Sequence, residues 1–221
     1  MDPIESIKPW KDSSLAMLLE AQSRAWEIYY FRLQDIYMDN SIAMGQFKML
    51  TLEDDNKHWF EFGEQGHCRL DELDVILMRK DPPFDMEYVY CTQLLEQAEE
   101  NSVLVVNRTA SLRDCNEKLF TRYFPQCCVE TRVSRDPALL KQFIDEMGDV
   151  IIKPLDGMGG KSIFRIRRGD PNTNVIIETV AQLGQSQTMV QRFIPEISEG
   201  DKRILLIDGV PIPYALARVP V

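Results

Sequence analysis

The sequence predicts an α/β fold with a parallel sheet in its N-terminal part and hairpins in its C-terminal part, and three local patterns support this. Apolar runs at 75–78 and 103–106 flank a helical stretch, as in a β-α-β unit with parallel strands. A glycine-rich loop at 154–161 lies between two further apolar runs. Asp208-Gly209 between apolar runs is a strong hairpin signal. The 221 residues, 44% of them hydrophobic, are enough to bury a core.

The N-terminal elements are predicted from periodicity and from turn residues. Apolar residues at helical spacing follow Ser13-Ser14, which we expect to cap a helix. The run at 75–78 is wholly apolar, so we expect a strand covered on both faces. The remaining predictions are strands at 28–31, 41–52 and 103–106, a loop at 53–57 and a helix over 85–100.

The C-terminal elements carry clearer start and stop signals. Ser111-Leu-Arg-Asp114 has the spacing of a capping box and predicts a helix that carries Lys118. Asp136-Pro137 predicts a second helix start. The change from β-α units to hairpins suggests a domain boundary near residue 149. The other predictions are strands at 150–153, 162–166, 189–193, 203–207 and 210–219 and a helix at 175–183.

Composition narrows the function classes. With 35 acidic and 25 basic residues the net charge is −10, so we expect no nucleic-acid partner. No apolar run approaches the ~20 residues of a membrane span, and the first residues lack signal-peptide features. We therefore expect a cytoplasmic protein with no membrane partner. Five cysteines without C-x-x-C spacing, and two histidines at no ligand spacing from them, predict reduced thiols and no metal site.

The loop at 154–161 is the strongest chemical signal. Gly157, Gly159 and Gly160 let the backbone approach a ligand closely, with amides free to face phosphate oxygens. Lys153 and Lys161 flank the loop, where both could reach a polyphosphate. A plain turn with solvated lysines is the alternative. The loop joins two strands, so it is neither a dinucleotide-binding fingerprint nor a Walker loop, which both enter a helix.

Weaker signals accompany the loop. Gln191-Arg192-Phe193-Ile194 joins a strand to an irregular segment whose backbone could read an adenine edge. Asp201 could hold ribose hydroxyls, and Arg203 a phosphate or carboxylate. Each residue, like Lys118 on its predicted helix, could equally be an ordinary surface group. Together they describe a nucleotide held between two hairpin-bearing lobes.

Two runs are the most specific motifs of the chain: Arg79 to Asp85, R-K-D-P-P-F-D, and Lys153 to Gly160, K-P-L-D-G-M-G-G. They resemble motifs of the ATP-grasp ligases, and among them of the bacterial glutathione synthetase family. The resemblance covers nearly the whole chain. The other segments that carry it are 1–3, 11–14, 74–78, 111–119, 200–203 and 216–218.

The resemblance implies an ADP-forming C–N ligase that uses ATP and Mg²⁺ to join γ-glutamylcysteine to glycine in glutathione biosynthesis. It implies that Lys118 and Lys153 hold ATP phosphates, that the loop glycines form a mobile lid, and that Asp201 faces the ribose. Gln191, Arg192, Phe193 and Ile194 would line the adenine pocket. Arg203 and Arg218 would hold the reacting carboxylate and phosphate, and Arg79 the peptide substrate. A homo-oligomer is also implied.

The family pattern implies a division into a substrate-side α/β domain at 1–113, a nucleotide-binding lobe at 114–195 and the start of a C-terminal lobe at 196–221. It also has a strand before the Met-Asp-Pro run, and a later loop and strand that carry the magnesium ligands. We therefore expect a chain truncated at both ends, with no metal ligands of its own and with phosphoryl transfer severely slowed.

Three alternatives stay open at this point. The chain could be an ATP-grasp amide ligase with another acid or amine, although the 74–85 run argues against this. It could be a nucleotide-binding or oligomerising protein without catalysis. A scaffold that binds no nucleotide would make the glycine loop and its lysines a coincidence.

Overall fold

The computed structural model describes residues 1–80 and 83–219. The chain forms two compact units, Met1–Glu117 and Lys118–Val221, rather than dividing near residue 149. Asp81 and Pro82, within the R-K-D-P-P-F-D run, and the last two residues lie outside the described part. Both units contain helices and strands, and unit 1 has a parallel pair of strands, so the predicted α/β class is confirmed. None of the helices in the described ranges is long and apolar enough to cross a membrane.

Unit 1 is built on an antiparallel sheet and a separate parallel pair of strands. Strand β3 pairs with β4 along one edge, and with β1 and β2 along the other. Strands β5 and β6 are parallel and are joined through α2, so the predicted β-α-β unit is confirmed. The elements are α1 Ser13–Ser23, β1 Tyr29–Tyr30, β2 Ile36–Asp39, β3 Ile42–Leu52, β4 Phe60–Arg69, β5 Val75–Leu77, α2 Met86–Glu100, β6 Leu104–Val106 and α3 Thr109–Asp114.

Two apolar clusters stabilise unit 1. Helix α2 packs its buried face against β3 and β6, with Leu95 and Ala98 fully inside. Helix α1 covers the other end of β3, where Leu15 and Leu52 belong to one buried cluster. Burying side chains of this size contributes about 1.5–3 kcal/mol each, which explains why an 11-residue helix such as α1 is stable here.

Three predictions for unit 1 are wrong in detail. Asp12, not Ser13 or Ser14, caps α1, because its carboxylate accepts hydrogen bonds from two backbone N–H groups at 2.8 and 2.9 Å. The 75–78 strand is covered on one face only, since Val75 and Leu77 are 39% and 36% exposed while Ile76 packs towards α2.

The third error concerns the helix predicted after the capping box. Helix α3 begins at Thr109 and ends at Asp114, so Ser111 lies inside it. The Thr109 N–H and hydroxyl both donate to the Glu99 carboxylate, which fixes the earlier start. Residues 119–123 form a separate 3-10 turn, and Lys118 precedes that turn.

Unit 2 is a four-stranded antiparallel sheet in the order β7-β10-β8-β9, with two helices on one face. The core lies between this sheet and α4 and α5, and Ile144, Ile152 and Val190 are its fully buried centre. As predicted, Asp136 caps α4 and Pro137 opens it. The elements are β7 Thr131–Ser134, α4 Pro137–Met147, β8 Asp149–Pro154, β9 Phe164–Arg167, α5 Thr173–Val180 and β10 Thr188–Arg192.

A two-stranded hairpin follows, formed by β11 Asp201–Ile207 and β12 Val210–Arg218. Asp208 and Gly209 have φ values of 50° and 75°, as the predicted tight turn requires. Apolar side chains along both strands are exposed within the described part of the chain, including Leu205 and Leu206.

Candidate functional site

The loop between β8 and β9 owes its shape to glycine. Gly159 and Gly160 have φ values of 66° and 79°, in the left-handed region where other residues are strained. A Cβ at Gly157 would lie 2.7 Å from Cγ of Pro154, so the chain there passes close to the end of β8. Residues 158–161 are exposed, which leaves this part of the backbone open to a ligand. The predicted glycine-rich connection between two paired strands is confirmed.

Lys118 contacts the backbone of this loop directly. Its Nζ donates to the carbonyl oxygens of Leu155 at 3.1 Å and Gly157 at 2.8 Å. The side chain is half-buried, although it is not on the α-helix that the sequence predicted. Lys153 lies half-buried on β8 opposite Met189. A positive charge is thus held against the glycine loop, and another lies on the strand that leads into it.

The segment predicted to read adenine is fixed to the sheet by its own contacts. Gln191 donates to the Thr131 hydroxyl at 2.8 Å. The Arg192 backbone N–H donates to the Glu130 carbonyl at 3.0 Å, and the Arg192 guanidinium donates to the Glu130 carboxylate at 2.6 Å. The hydrogen bond from the guanidinium holds the pKa of the Glu130 carboxyl below its usual range.

The other two residues of this segment differ in their surroundings. The Phe193 N–H donates to the Asp149 carbonyl at 2.9 Å. The Ile194 side chain is 47% exposed at the end of the segment. The N–H groups of Arg192 and Phe193 are therefore already used within the unit, which leaves Ile194 as the open end of the stretch.

The hairpin brings Asp201, Arg203 and Arg218 onto one face. Asp201 and Arg218 are directly opposite across the strands, and Arg203 is two residues further along β11, so the side chains share a side of the pleat. Arg218 binds both carboxylate oxygens of Asp201, with Nε at 2.6 Å from Oδ1. This pairing lowers the pKa of Asp201 and raises the pKa of Arg218. Arg203 is exposed.

Arg79 belongs to unit 1 and joins two motifs that are distant in the sequence. Its Nε donates to the Ser14 hydroxyl and its Nη2 to the Ser13 hydroxyl, both at 3.0 Å. Next to it, Lys80 forms an ion pair with Asp2 at 2.7 Å. The segments 1–3, 11–14 and 79–80, which carry part of the family resemblance, therefore meet in one place.

Sequence reasoning missed the partners that hold these residues, and it offered no signal for them. Thr131 is the first residue of β7, a four-residue strand too short and polar to be recognised, and Glu130 directly precedes it. Their contacts join residues about sixty positions apart, as the separation of 60 between Gln191 and Thr131 illustrates. Pairing of that kind leaves no spacing pattern in the sequence.

The described residues contain no arrangement of three or more His, Cys, Asp or Glu side chains that could hold a metal ion. All five cysteines are free thiols. Cys91 lies on the buried face of α2, and burial raises the pKa of its thiol to about 11.

Comparison with known proteins assigns both parts of the chain to domains of the same family. Residues 1–113 match the family described as "Prokaryotic glutathione synthetase, N-terminal domain". Residues 117–221 match "Prokaryotic glutathione synthetase, ATP-grasp domain". The chain is 54% identical over 220 residues to the glutathione synthetase of Vibrio vulnificus and 58% identical to that of Pseudomonas putida. In both cases all of this chain is covered, and it spans 69% of the relative's length.

Solved structures with the same fold are more distant. D-alanyl-alanine synthetase A from Vibrio cholerae superposes with a TM-score of 0.56 at 11% identity, covering 99% of this chain and 65% of that one. The ATP-grasp ligase PsnB gives a TM-score of 0.52 at 16% identity, with 90% and 66% covered. At such identities the likeness shows the fold alone.

Proposed function

The chain belongs to the prokaryotic glutathione synthetase family, and we propose that it joins γ-glutamylcysteine to glycine with conversion of ATP to ADP and phosphate. A carboxylate does not react with an amine until one of its oxygens becomes part of a leaving group. In the proposed reaction the cysteinyl carboxylate attacks the γ-phosphorus of ATP, and ADP leaves. The neutral glycine amine then attacks the acyl carbon, its nitrogen loses a proton to solvent as the C–O bond to phosphate breaks, and glutathione and phosphate are released.

The contact between Lys118 and the glycine loop is the observation that carries this proposal. Phosphoryl transfer is promoted mainly by cations and N–H donors placed around the moving charge. Lys118 and Lys153 supply the cations. Gly157, Gly159 and Gly160 supply a backbone that can fold over the phosphates without interference from side chains.

The base and ribose are assigned to the other end of the unit 2 sheet. We place the adenine against Gln191–Ile194, with Ile194 offering an exposed apolar surface to the ring. The N–H groups of Arg192 and Phe193 are used elsewhere, so they do not enter this assignment. Asp201 is the ribose partner that the resemblance implies.

The arginines are assigned to the anionic substrate groups. Arg203 and Arg218 share a face of the hairpin, where we propose that they bind the reacting carboxylate and the transferred phosphate. Arg218 reaches such a ligand by exchanging or sharing Asp201, its present partner. Arg79, held by two serine hydroxyls at the start of α1, is the candidate for a carboxylate of γ-glutamylcysteine.

Mg²⁺ use is implied by the family. Residues 1–80 and 83–219 contain no group of three or more His, Cys, Asp or Glu side chains that could hold a metal ion, so no step above depends on a metal ligand of this chain. The homo-oligomeric state and cytoplasmic location stay predictions.

The test is product formation by the purified chain. With ATP, Mg²⁺, γ-glutamylcysteine and glycine, we expect glutathione by mass spectrometry, and ADP release that requires both substrates. Turnover should be slow, because the described residues contain no group of three or more metal-ligating side chains. ADP release that depends on a different acid or amine would favour another ATP-grasp amide ligase. Saturable ATP binding without any product would contradict the ligase assignment and favour the non-catalytic nucleotide-binding alternative.

A further inference from the structure

Arg165 contacts both a carboxylate and an aromatic ring in unit 2. Its Nε and Nη2 donate to the two carboxylate oxygens of Asp149 at 2.9 and 2.6 Å. Its Cζ lies 3.5 Å from the centroid of the Phe193 ring, a cation–π contact at close range. The bidentate hydrogen bonding to Asp149 fixes the plane of the guanidinium, which limits the positions that the Phe193 ring can adopt.

Asp149 also holds the backbone of Phe193. The Phe193 N–H donates to the Asp149 carbonyl at 2.9 Å, so one residue of β8 binds both the main chain of Phe193 and the arginine on its ring. Hydrogen bonding to Arg165 holds the pKa of the Asp149 carboxyl below its usual range, which keeps this carboxylate charged at neutral pH. The three residues form a closed cluster whose members come from β8, β9 and the end of β10.

The position of this cluster gives it a functional meaning. Phe193 lies inside the segment 191–194 that we assign to the adenine. Arg165 is on β9, the strand that leaves the glycine loop. The cluster therefore links β9, the strand that follows the proposed phosphate-binding loop, to the segment 191–194 that we propose binds the base.

We propose that Arg165 is a positioning residue for the nucleotide base, acting by fixing Phe193 and the backbone on either side of it. This inference rests on the proposed function, because it needs ATP to bind at the segment 191–194. Loss of the guanidinium should loosen that segment and leave the loop and Lys118 unchanged. Without the guanidinium, the protein should therefore lose only the share of its ATP affinity that comes from contacts with the adenine base.

Arg167 provides a matched control. It lies two residues from Arg165 on the same strand and faces the same carboxylate, at 3.8 Å. Its side chain is 71% exposed, so its charge is screened by solvent. Replacing either arginine by methionine removes one positive charge near Asp149 while retaining an unbranched apolar side chain.

The experiment compares the binding of ATP with that of inorganic tripolyphosphate, which lacks a base, by calorimetry. Arg165→Met should weaken ATP binding about three- to tenfold, in keeping with the strength of cation–π contacts, and leave tripolyphosphate binding unchanged. Arg167→Met should change neither affinity. Phe193→Leu should reproduce the loss, and the double variant with Arg165→Met should add little to it.

The remaining outcomes separate this inference from the proposed function. Equal weakening of ATP and tripolyphosphate by Arg165→Met, or no weakening of either, would overturn the positioning role. If Arg165→Met does not fold, as judged by thermal unfolding, an unchanged ATP affinity in Phe193→Leu would overturn it instead. Absence of saturable ATP binding by the unaltered chain would refute the proposed function, and this inference with it.

Discussion

Replacing Lys118 by methionine tests the contact on which the proposed nucleotide site depends. The Lys118 ammonium donates to the carbonyl oxygens of Leu155 and Gly157 at 3.1 and 2.8 Å. Methionine retains much of the length and apolar stem but cannot donate. We therefore expect Lys118→Met to loosen the glycine loop before any ligand is added.

The size of the effect follows from those two hydrogen bonds. A hydrogen bond to a charged group contributes about 1.5–3 kcal/mol in net terms. Lys118 is only half-buried, and the freed carbonyl groups can bind water. We therefore expect the two hydrogen bonds together to contribute about 1–2 kcal/mol to the free energy of loop opening. That free energy corresponds to a rise of about 5- to 30-fold in the ratio of open to closed loop.

Hydrogen exchange measured by mass spectrometry, without nucleotide, is the assay. The Lys161 N–H donates to the Met158 carbonyl within this loop at 3.4 Å. Its exchange should accelerate by that factor in Lys118→Met, since exchange follows the opening equilibrium when closing is fast. Lys141→Met is the control, because Lys141 is an exposed lysine of the same unit that contacts Asn174 at 3.5 Å. Unchanged exchange in the loop, or the same change in both variants, would refute the reasoning.

Three further predictions concern other parts of the chain. Iodoacetamide at pH 8 should modify the exposed Cys127 and spare Cys91 until the protein unfolds, because burial keeps the Cys91 thiol neutral; peptide mass spectrometry distinguishes the two. Gly157→Ala should weaken ATP binding about tenfold in calorimetry, because the added Cβ presses on Pro154 at a strain of about 1–3 kcal/mol. Ile152→Ala should lower the free energy of unfolding by about 2–5 kcal/mol in urea titrations, because its side chain is fully buried.

Each of these has an outcome that would contradict it. Equal modification rates for Cys91 and Cys127 in the folded protein would show that the interior beneath α2 is open. Gly63→Ala serves as the control for Gly157→Ala, since its Cβ would meet Met49 at an ordinary 3.5 Å; equal ATP affinities in the two variants would argue against crowding at the loop. Val175, which is 63% exposed, should tolerate alanine, and a loss as large as that of Ile152→Ala would contradict the core assignment.

Local signals predicted much of the fold. The β-α-β unit, the start of α4 and the turn at Asp208-Gly209 are encoded by residues close together in the chain, and all three are found. Strand β4 was missed because Gly63, Gly66 and its charged residues weaken the strand pattern. Its stability comes from pairing with β3 along nearly its whole length, which is a tertiary effect.

In the candidate site, too, local sequence signals identified the residues but not the tertiary contacts that hold them. Residue type and order were enough to single out the glycine loop and Lys118, together with the segment at 191–194. The contacts that hold them are formed between residues distant in the sequence, such as Lys118 with Gly157 and Arg165 with Phe193. Those contacts depend on strand order and register, which the sequence pattern alone did not specify.

The central claim is that a carboxylate of γ-glutamylcysteine is activated by direct transfer of the γ-phosphoryl group, and an isotope experiment tests it most directly. The purified chain is given ATP, Mg²⁺, glycine and γ-glutamylcysteine labelled with ¹⁸O in its cysteinyl carboxylate. If an acyl phosphate forms and glycine then attacks its carbon, one ¹⁸O atom from the carboxylate should appear in each phosphate released. Release of unlabelled phosphate, or no release by folded protein that binds ATP, would contradict the account.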